Sequence, residues 1–246
     1  MQNDIERRET EELGHVRKLG LIGGMSWIST RAYYEKINRR VQKLGQAVAS
    51  APMVIESLDY APIYQAKQAD DWSVLETILV DTARRLTACG AEGIAIASNV
   101  MHKLYDEVSA AINVPVLHIA DAVGEHLADA EIGNAALLGT RAVMTEGFYR
   151  QRLVGHGLSL LAPDMNDVEL VDGIIYKELI LGRVTRDAER ALKTIVTSKD
   201  KAGADAIILA STELELVVDT RANVLPVYDS TEIHCNAISD WILAGD

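Results

Sequence analysis

Phenylalanine occurs once in this chain, cysteine twice and proline five times. Two cysteines, Cys89 and Cys235, cannot build a disulfide framework, and no CxxC pair is present. A reducing, cytoplasmic setting is therefore expected. No apolar run approaches the roughly 20 residues that cross a bilayer, and the first 18 residues are polar and charged rather than a secretory leader. Positive charge is scarce as well: 24 Lys and Arg stand against 36 Asp and Glu, a formal charge of −12. That disfavours a general nucleic-acid or anionic-membrane binder. An acidic small molecule could still bind, but only in a locally positive pocket. The six histidines show no HExxH or other ligand spacing, so no metal is expected.

The composition that remains is that of a globular protein, 48% apolar and 24% charged. A chain of 246 residues buries roughly 70–75% of its unfolded surface and needs no staple. It has room for one large or two small domains. Residues 1–17 read as a charged extension with no part in the fold. From Leu19 onward, short apolar runs alternate with longer amphipathic stretches. Strands are predicted near 19–24, 53–55, 93–97, 114–117, 135–138, 158–161, 206–209 and 224–227. Helices are predicted over 26–44, 72–89, 100–112, 120–128, 145–155, 168–181, 186–199 and 231–243. Alternation of this kind means parallel sheets covered on both faces, an α/β fold.

The chain also echoes itself. Gly90-Ala91-Glu92-Gly93-Ile94-Ala95-Ile96-Ala97-Ser98-Asn99 resembles Gly203-Ala204-Asp205-Ala206-Ile207-Ile208-Leu209-Ala210-Ser211-Thr212. Leu21-Ile22-Gly23-Gly24 matches Leu137-Leu138-Gly139-Thr140 at nearly the same offset. Two echoes at one spacing imply a duplicated α/β unit. Ligands of open parallel sheets bind beyond the carboxyl ends of the strands. Ser98, Ser211, Gly24 and Thr140 all fall at such ends. The expected division is a first domain of 18–120 plus 225–246 and a second of 121–224, with the site in the cleft between them.

Each motif also has an ordinary reading. Gly20-x-x-Gly23-Gly24 departs from the G-x-G-x-x-G dinucleotide spacing; it suits a tight turn offering backbone N–H groups to a carboxylate. Ser98-Asn99 and Ser211-Thr212-Glu213 can be plain helix caps, and their matched positions in the repeat single them out. A Ser98–His118–Asp121 hydrolase lacks a G-x-S-x-G elbow. Cys89 is expected to be buried and inert, and Cys235 to fill core.

Several stretches resemble the aspartate/glutamate racemase family, the amino-acid racemases that work without pyridoxal phosphate. They include Gly23-Gly24-Met25-Ser26-Trp27, Tyr33-Tyr34, Ser98-Asn99-Val100-Met101-His102-Lys103, Leu117-His118-Ile119-Ala120-Asp121 and Leu137-Leu138-Gly139-Thr140-Arg141. The match continues through Phe148-Tyr149, Ile174-Ile175-Tyr176, Thr212-Glu213-Leu214 and Asp229-Ser230-Thr231 with His234, over more than nine-tenths of the chain. The resemblance implies two pseudo-symmetric α/β domains, a homodimer, no cofactor, and two thiols flanking the Cα of a small acidic amino acid. Here the chain departs from the pattern. The two cysteine positions fall on Ser98 and Ser211, and two expected hydroxyls are replaced by Val100 and Val143. Gly24, Met25, Asn99, Thr140, Thr212 and Glu213 are implied to hold substrate, with Lys177 a candidate cation for a second carboxylate. A serine hydroxyl supplies almost no base at neutral pH without a partner. Racemisation of acidic amino acids is therefore expected to be weak or absent. The alternatives are a non-catalytic carboxylate-binding protein, or an isomerase or lyase with another substrate.

Overall fold

The computed structural model describes residues 15–219 and 223–245; most of the predicted N-terminal extension, residues 1–14, lies outside them. Among the described residues, eight strands form two four-stranded parallel sheets. The first contains β1 (Leu19–Gly23), β2 (Met53–Ser57), β3 (Gly93–Ile96) and β4 (Val116–Leu117), in the order β2-β1-β3-β4. The second contains β5 (Asn134–Gly139), β6 (Ser159–Leu160), β7 (Ala206–Ala210) and β8 (Val227–Asp229), in the order β6-β5-β7-β8. Replacing β1–β4 by β5–β8 turns one order into the other, as the sequence echo implied. β8 pairs with β7 in the second sheet, Ile207 opposite Val227 and Leu209 opposite Asp229. That strand therefore departs from the expected first domain, because its register follows the strand beside it rather than the helix after it.

Ten α-helices join these strands among the described residues: α1 (Trp27–Leu44), α2 (Tyr60–Gln68), α3 (Trp72–Ala88), α4 (Tyr105–Ala110), α5 (Ile119–Asp129), α6 (Arg141–Thr145), α7 (Gly147–Gly155), α8 (Met165–Lys177), α9 (Arg186–Lys201) and α10 (Ser230–Leu243). Short 3-10 turns sit at Val100–Leu104, Leu179–Leu181 and Leu214–Leu216. Side chains fix the helix starts. Ser26 accepts from the Ser29 N–H, Asp71 from Val74, Thr185 from Ala188, and Asp229 from Thr231 and Glu232. The central strands β1 and β7 are buried at every position, as strands covered on both faces must be.

One apolar cluster runs through both halves, joining Ile22, Leu79, Ile94 and Ile119 to Ala135, Leu137, Tyr149 and Ile208. The last helix adds polar ties. His234 accepts from the Tyr33 hydroxyl at 2.8 Å through Nδ1 and donates through Nε2 to the Leu117 carbonyl at 3.0 Å. Burial depresses its pKa to about 3, so the ring is neutral. Cys235 beside it is buried, and burial raises its thiol pKa well above the ordinary value. Cys89 is exposed, against expectation, because it closes the solvent-side end of α3. No described helix is long and apolar enough to cross a membrane.

Candidate functional site

The carboxyl ends of β3, β5 and β7 open onto one cleft, lined from those ends by Ser98, Asn99, Val100, Thr140, Ala210, Ser211, Thr212 and Glu213. Met25, just past β1, and Tyr60, Ile175, Tyr176 and Ile180 complete the walls. Gly24 does not line it but sets its geometry. Its φ of +84° suits glycine, and a Cβ there would stand 2.1 Å from the Leu58 carbonyl oxygen. Val143 is fully buried, packed behind the end of β5, where a Cβ on Gly139 would lie 3.3 Å from it. Lys177 is exposed and stands outside the lining, because α8 ends there and turns the residue toward solvent.

The two halves furnish the cleft differently. On the second, Glu213 is 6% exposed and sits in a cage of hydroxyls. Ser211 donates to its Oε2 at 2.8 Å and Thr212 at 2.9 Å. Ser26 donates to Oε1 at 3.1 Å. Ser29 lies 3.2 Å from Oε1 and 2.5 Å from the Thr212 hydroxyl. On the first half, Asn99 Oδ1 accepts from the Tyr149 hydroxyl at 3.0 Å and from Ser230 at 3.2 Å. Those two donors fix the amide, leaving its Nδ2 buried and without a partner among the described residues; Thr140 Oγ1 is likewise buried and unpaired among them. Buried polar atoms are normally satisfied. Both orphans belong to residues that line the one cleft.

Burial, reinforced by the field of Glu213, raises the Tyr60 phenol above its ordinary range and keeps it neutral. Lys67, one helical stretch away, has its ammonium 4.0 Å from the Tyr176 ring centroid. Burial lowers its pKa to about 8, partly offset by the charges of Asp172, Glu213 and Glu146. The hydrolase geometry is not formed. His118 Nδ1 accepts from the Ala120 N–H at the start of α5, and Asp121 pairs with Arg152 at 2.6 Å. Among the described residues no three His, Cys, Asp or Glu side chains are grouped to hold a metal.

Tyr60, Tyr176, Ile180 and the Ser26–Ser29 cage were not singled out from sequence. Tyr176 carried a signal, since it falls within a matching stretch. Of the cage, Ser26 carried the same signal, within Gly23–Trp27; Ser29 did not, because it reaches Glu213 from 184 residues away.

The sequence profile of the Asp/Glu/Hydantoin racemase family matches residues 22–238. The chain is 39% identical to a proposed Asp/Glu racemase from Yersinia pestis, with a TM-score of 0.85 over 92% of this chain and 99% of that one. An aspartate racemase homologue from Pyrococcus horikoshii OT3 is 30% identical, with a TM-score of 0.79 over 92% and 99%. The broad specificity amino-acid racemase RacX of Bacillus subtilis is 27% identical over 216 residues, 87% of this chain and 92% of that protein. With its duplicated parallel sheets and the shared cleft at their carboxyl ends, this chain belongs to the Asp/Glu/Hydantoin racemase family of isomerases.

Proposed function

We propose that the cleft binds a small amino acid by its carboxylate and acts at Cα, with Ser98 and Ser211 on either side of the reacting carbon. The observation that carries this reading is the pair of unpartnered polar atoms, Asn99 Nδ2 and Thr140 Oγ1, in a cleft that also holds both serines. Hydrogen-bond donors at those points would stabilise a carboxylate, and more strongly the enediolate formed when its α-proton leaves. Thr212 and Met25, which also line the cleft, stand beside these donors, while the Gly24 N–H is spent on the Thr30 hydroxyl at 2.7 Å.

The side chain of the substrate is neutral in this reading. Among the described residues no Lys or Arg lines the cleft and Glu213 is the one charged lining residue; Met25, Val100, Ile175 and Ile180 supply apolar walls. A second carboxylate would meet an anion and no lining cation, which supports poor turnover of aspartate and glutamate. A relative named for broad specificity accords with a neutral substrate.

The test is loss of the α-proton NMR signal in D2O for L- and D-alanine, methionine, aspartate and glutamate. It is run with the unaltered chain and with the Ser98→Cys/Ser211→Cys double variant. Alanine or methionine should exchange at least about tenfold faster than either acidic amino acid in whichever protein is active. Asn99→Ala should cost about 1–3 kcal/mol of substrate binding through its lost donor. Exchange of none of the eight by either protein would end this reading. Thermal stabilisation by these ligands without exchange would point instead to a binding protein.

A further inference from the structure

The two serines differ in what stands behind them. Ser211 donates its hydroxyl proton to Glu213 Oε2 at 2.8 Å, and both residues line the cleft. Ser98 Oγ has no hydrogen-bond partner among the described residues. The base nearest to it in sequence, His102, is already committed. Its Nδ1 donates to the Ser98 carbonyl at 2.8 Å, and its Nε2 accepts the Ile119 N–H at 3.2 Å. The duplicated register makes the difference explicit. Ser98-Asn99-Val100 corresponds to Ser211-Thr212-Glu213, so a valine occupies in one half the position of the carboxylate in the other.

We infer that this cleft carries a proton acceptor on one face only: the Ser211–Glu213 pair exchanges the α-proton of one enantiomer with retention, instead of interconverting the two. The inference rests on the amino-acid reading proposed above. In the forward step the α-proton passes to Ser211 Oγ as the hydroxyl's own proton passes to Glu213 Oε2. The electron pair of the broken Cα–H bond moves into the substrate carboxylate as an enediolate. Solvent exchange at the pair then returns a deuteron along the same path to the same face. One Cα–H bond becomes one Cα–D bond, and no other reactant is needed. Hydroxyl relays of this kind work only when a base stands behind the hydroxyl. Inversion would need a second proton carrier at Ser98, and a hydroxyl with no acceptor is a poor one.

The experiment follows deuterium incorporation into L- and D-alanine and L- and D-methionine, with the enantiomers of the product separated on a chiral column. The unaltered chain is expected to label one enantiomer at least about tenfold faster than the other and to form little of the opposite hand. Glu213→Gln should lower that exchange by about 100-fold or more. Ser211→Cys/Glu213→Gln should recover at least about tenfold over Glu213→Gln, since a thiolate is its own base; loss of a merely structural carboxylate would not be rescued this way. Ser98→Cys should turn the one-sided exchange into racemisation. Inversion at a rate comparable to exchange in the unaltered chain, or Glu213→Gln exchanging within threefold of it, overturns the inference and leaves the amino-acid reading standing. So does exchange seen only in the Ser98→Cys/Ser211→Cys variant. Exchange in neither protein overturns both.

Discussion

Lys67 shows how a single residue reports on the cleft wall. Its ammonium is held over Tyr176, and burial brings its pKa down from 10.5 to about 8. Between those two values the unfolded chain binds more protons at this side chain than the folded one. Stability from this group therefore rises as pH rises through that window and is lost as pH falls through about 8. Denaturant unfolding should show the folded chain gaining stability between pH 7.5 and 9.5, and Lys67→Met should flatten the gain. An unchanged slope in the variant would place the lysine in water. The same residue marks the limit of reading a site from sequence. Ser98, Asn99, Thr140, Ser211 and Thr212 stand at strand ends within repeated or matching stretches, so local pattern exposes them. Lys67 and Ser29 meet the cleft's lining residues Tyr176 and Glu213 through contacts between distant segments, which no local pattern encodes. Lys177 shows the converse: a lysine beside a matching stretch, whose direction depends on where its helix stops.

At the scale of elements, periodicity located most strands and the long helices. The strand expected at 224–227 lies at Val227–Asp229, and the helix expected over 100–112 is a 3-10 turn followed by Tyr105–Ala110. Other misses fall where backbone chemistry breaks a run. The stretch 168–181 read as one helix, but it ends at Lys177, and Glu178, at φ −126° and ψ −63°, leads into a separate 3-10 turn carrying Ile180 to the cleft. The helix expected at 145–155 is preceded by a separate one, Arg141–Thr145, with Glu146 extended between them. The nine-residue α2, with Pro62 in its first turn, where a missing N–H is tolerated, was not predicted, yet it brings Tyr60 and Lys67 to the site. The turn after β1 was legible because glycines announce it. Gly24→Ala should lower stability by about 2–4 kcal/mol, through its left-handed backbone and the Leu58 carbonyl in the path of the new methyl. A loss below about 1 kcal/mol by chemical denaturation would mean that the Leu58 segment yields easily.

For the whole molecule, repetition and unity coexist. The sequence echo foretold two sheets of matching order, but not that they share a core. Apolar residues of both sheets belong to one continuous cluster, and α10 packs against α1 and α5 after its strand has joined the second sheet. Neither half can unfold without exposing the other's buried surface. Thermal unfolding followed by far-UV circular dichroism and by tryptophan fluorescence should give coincident single transitions; two separated steps would mean that the halves melt independently. The cleft between the sheets' carboxyl ends holds only about 30 Å³ of free space, enough for one or two waters and too little for an amino acid. Ligand must therefore wait for the walls to part. Where opening is slower than encounter, a stopped-flow binding experiment should show the association rate levelling off as ligand concentration rises. A crystal grown from the closed molecule resists soaking, and co-crystallisation becomes the route to a complex.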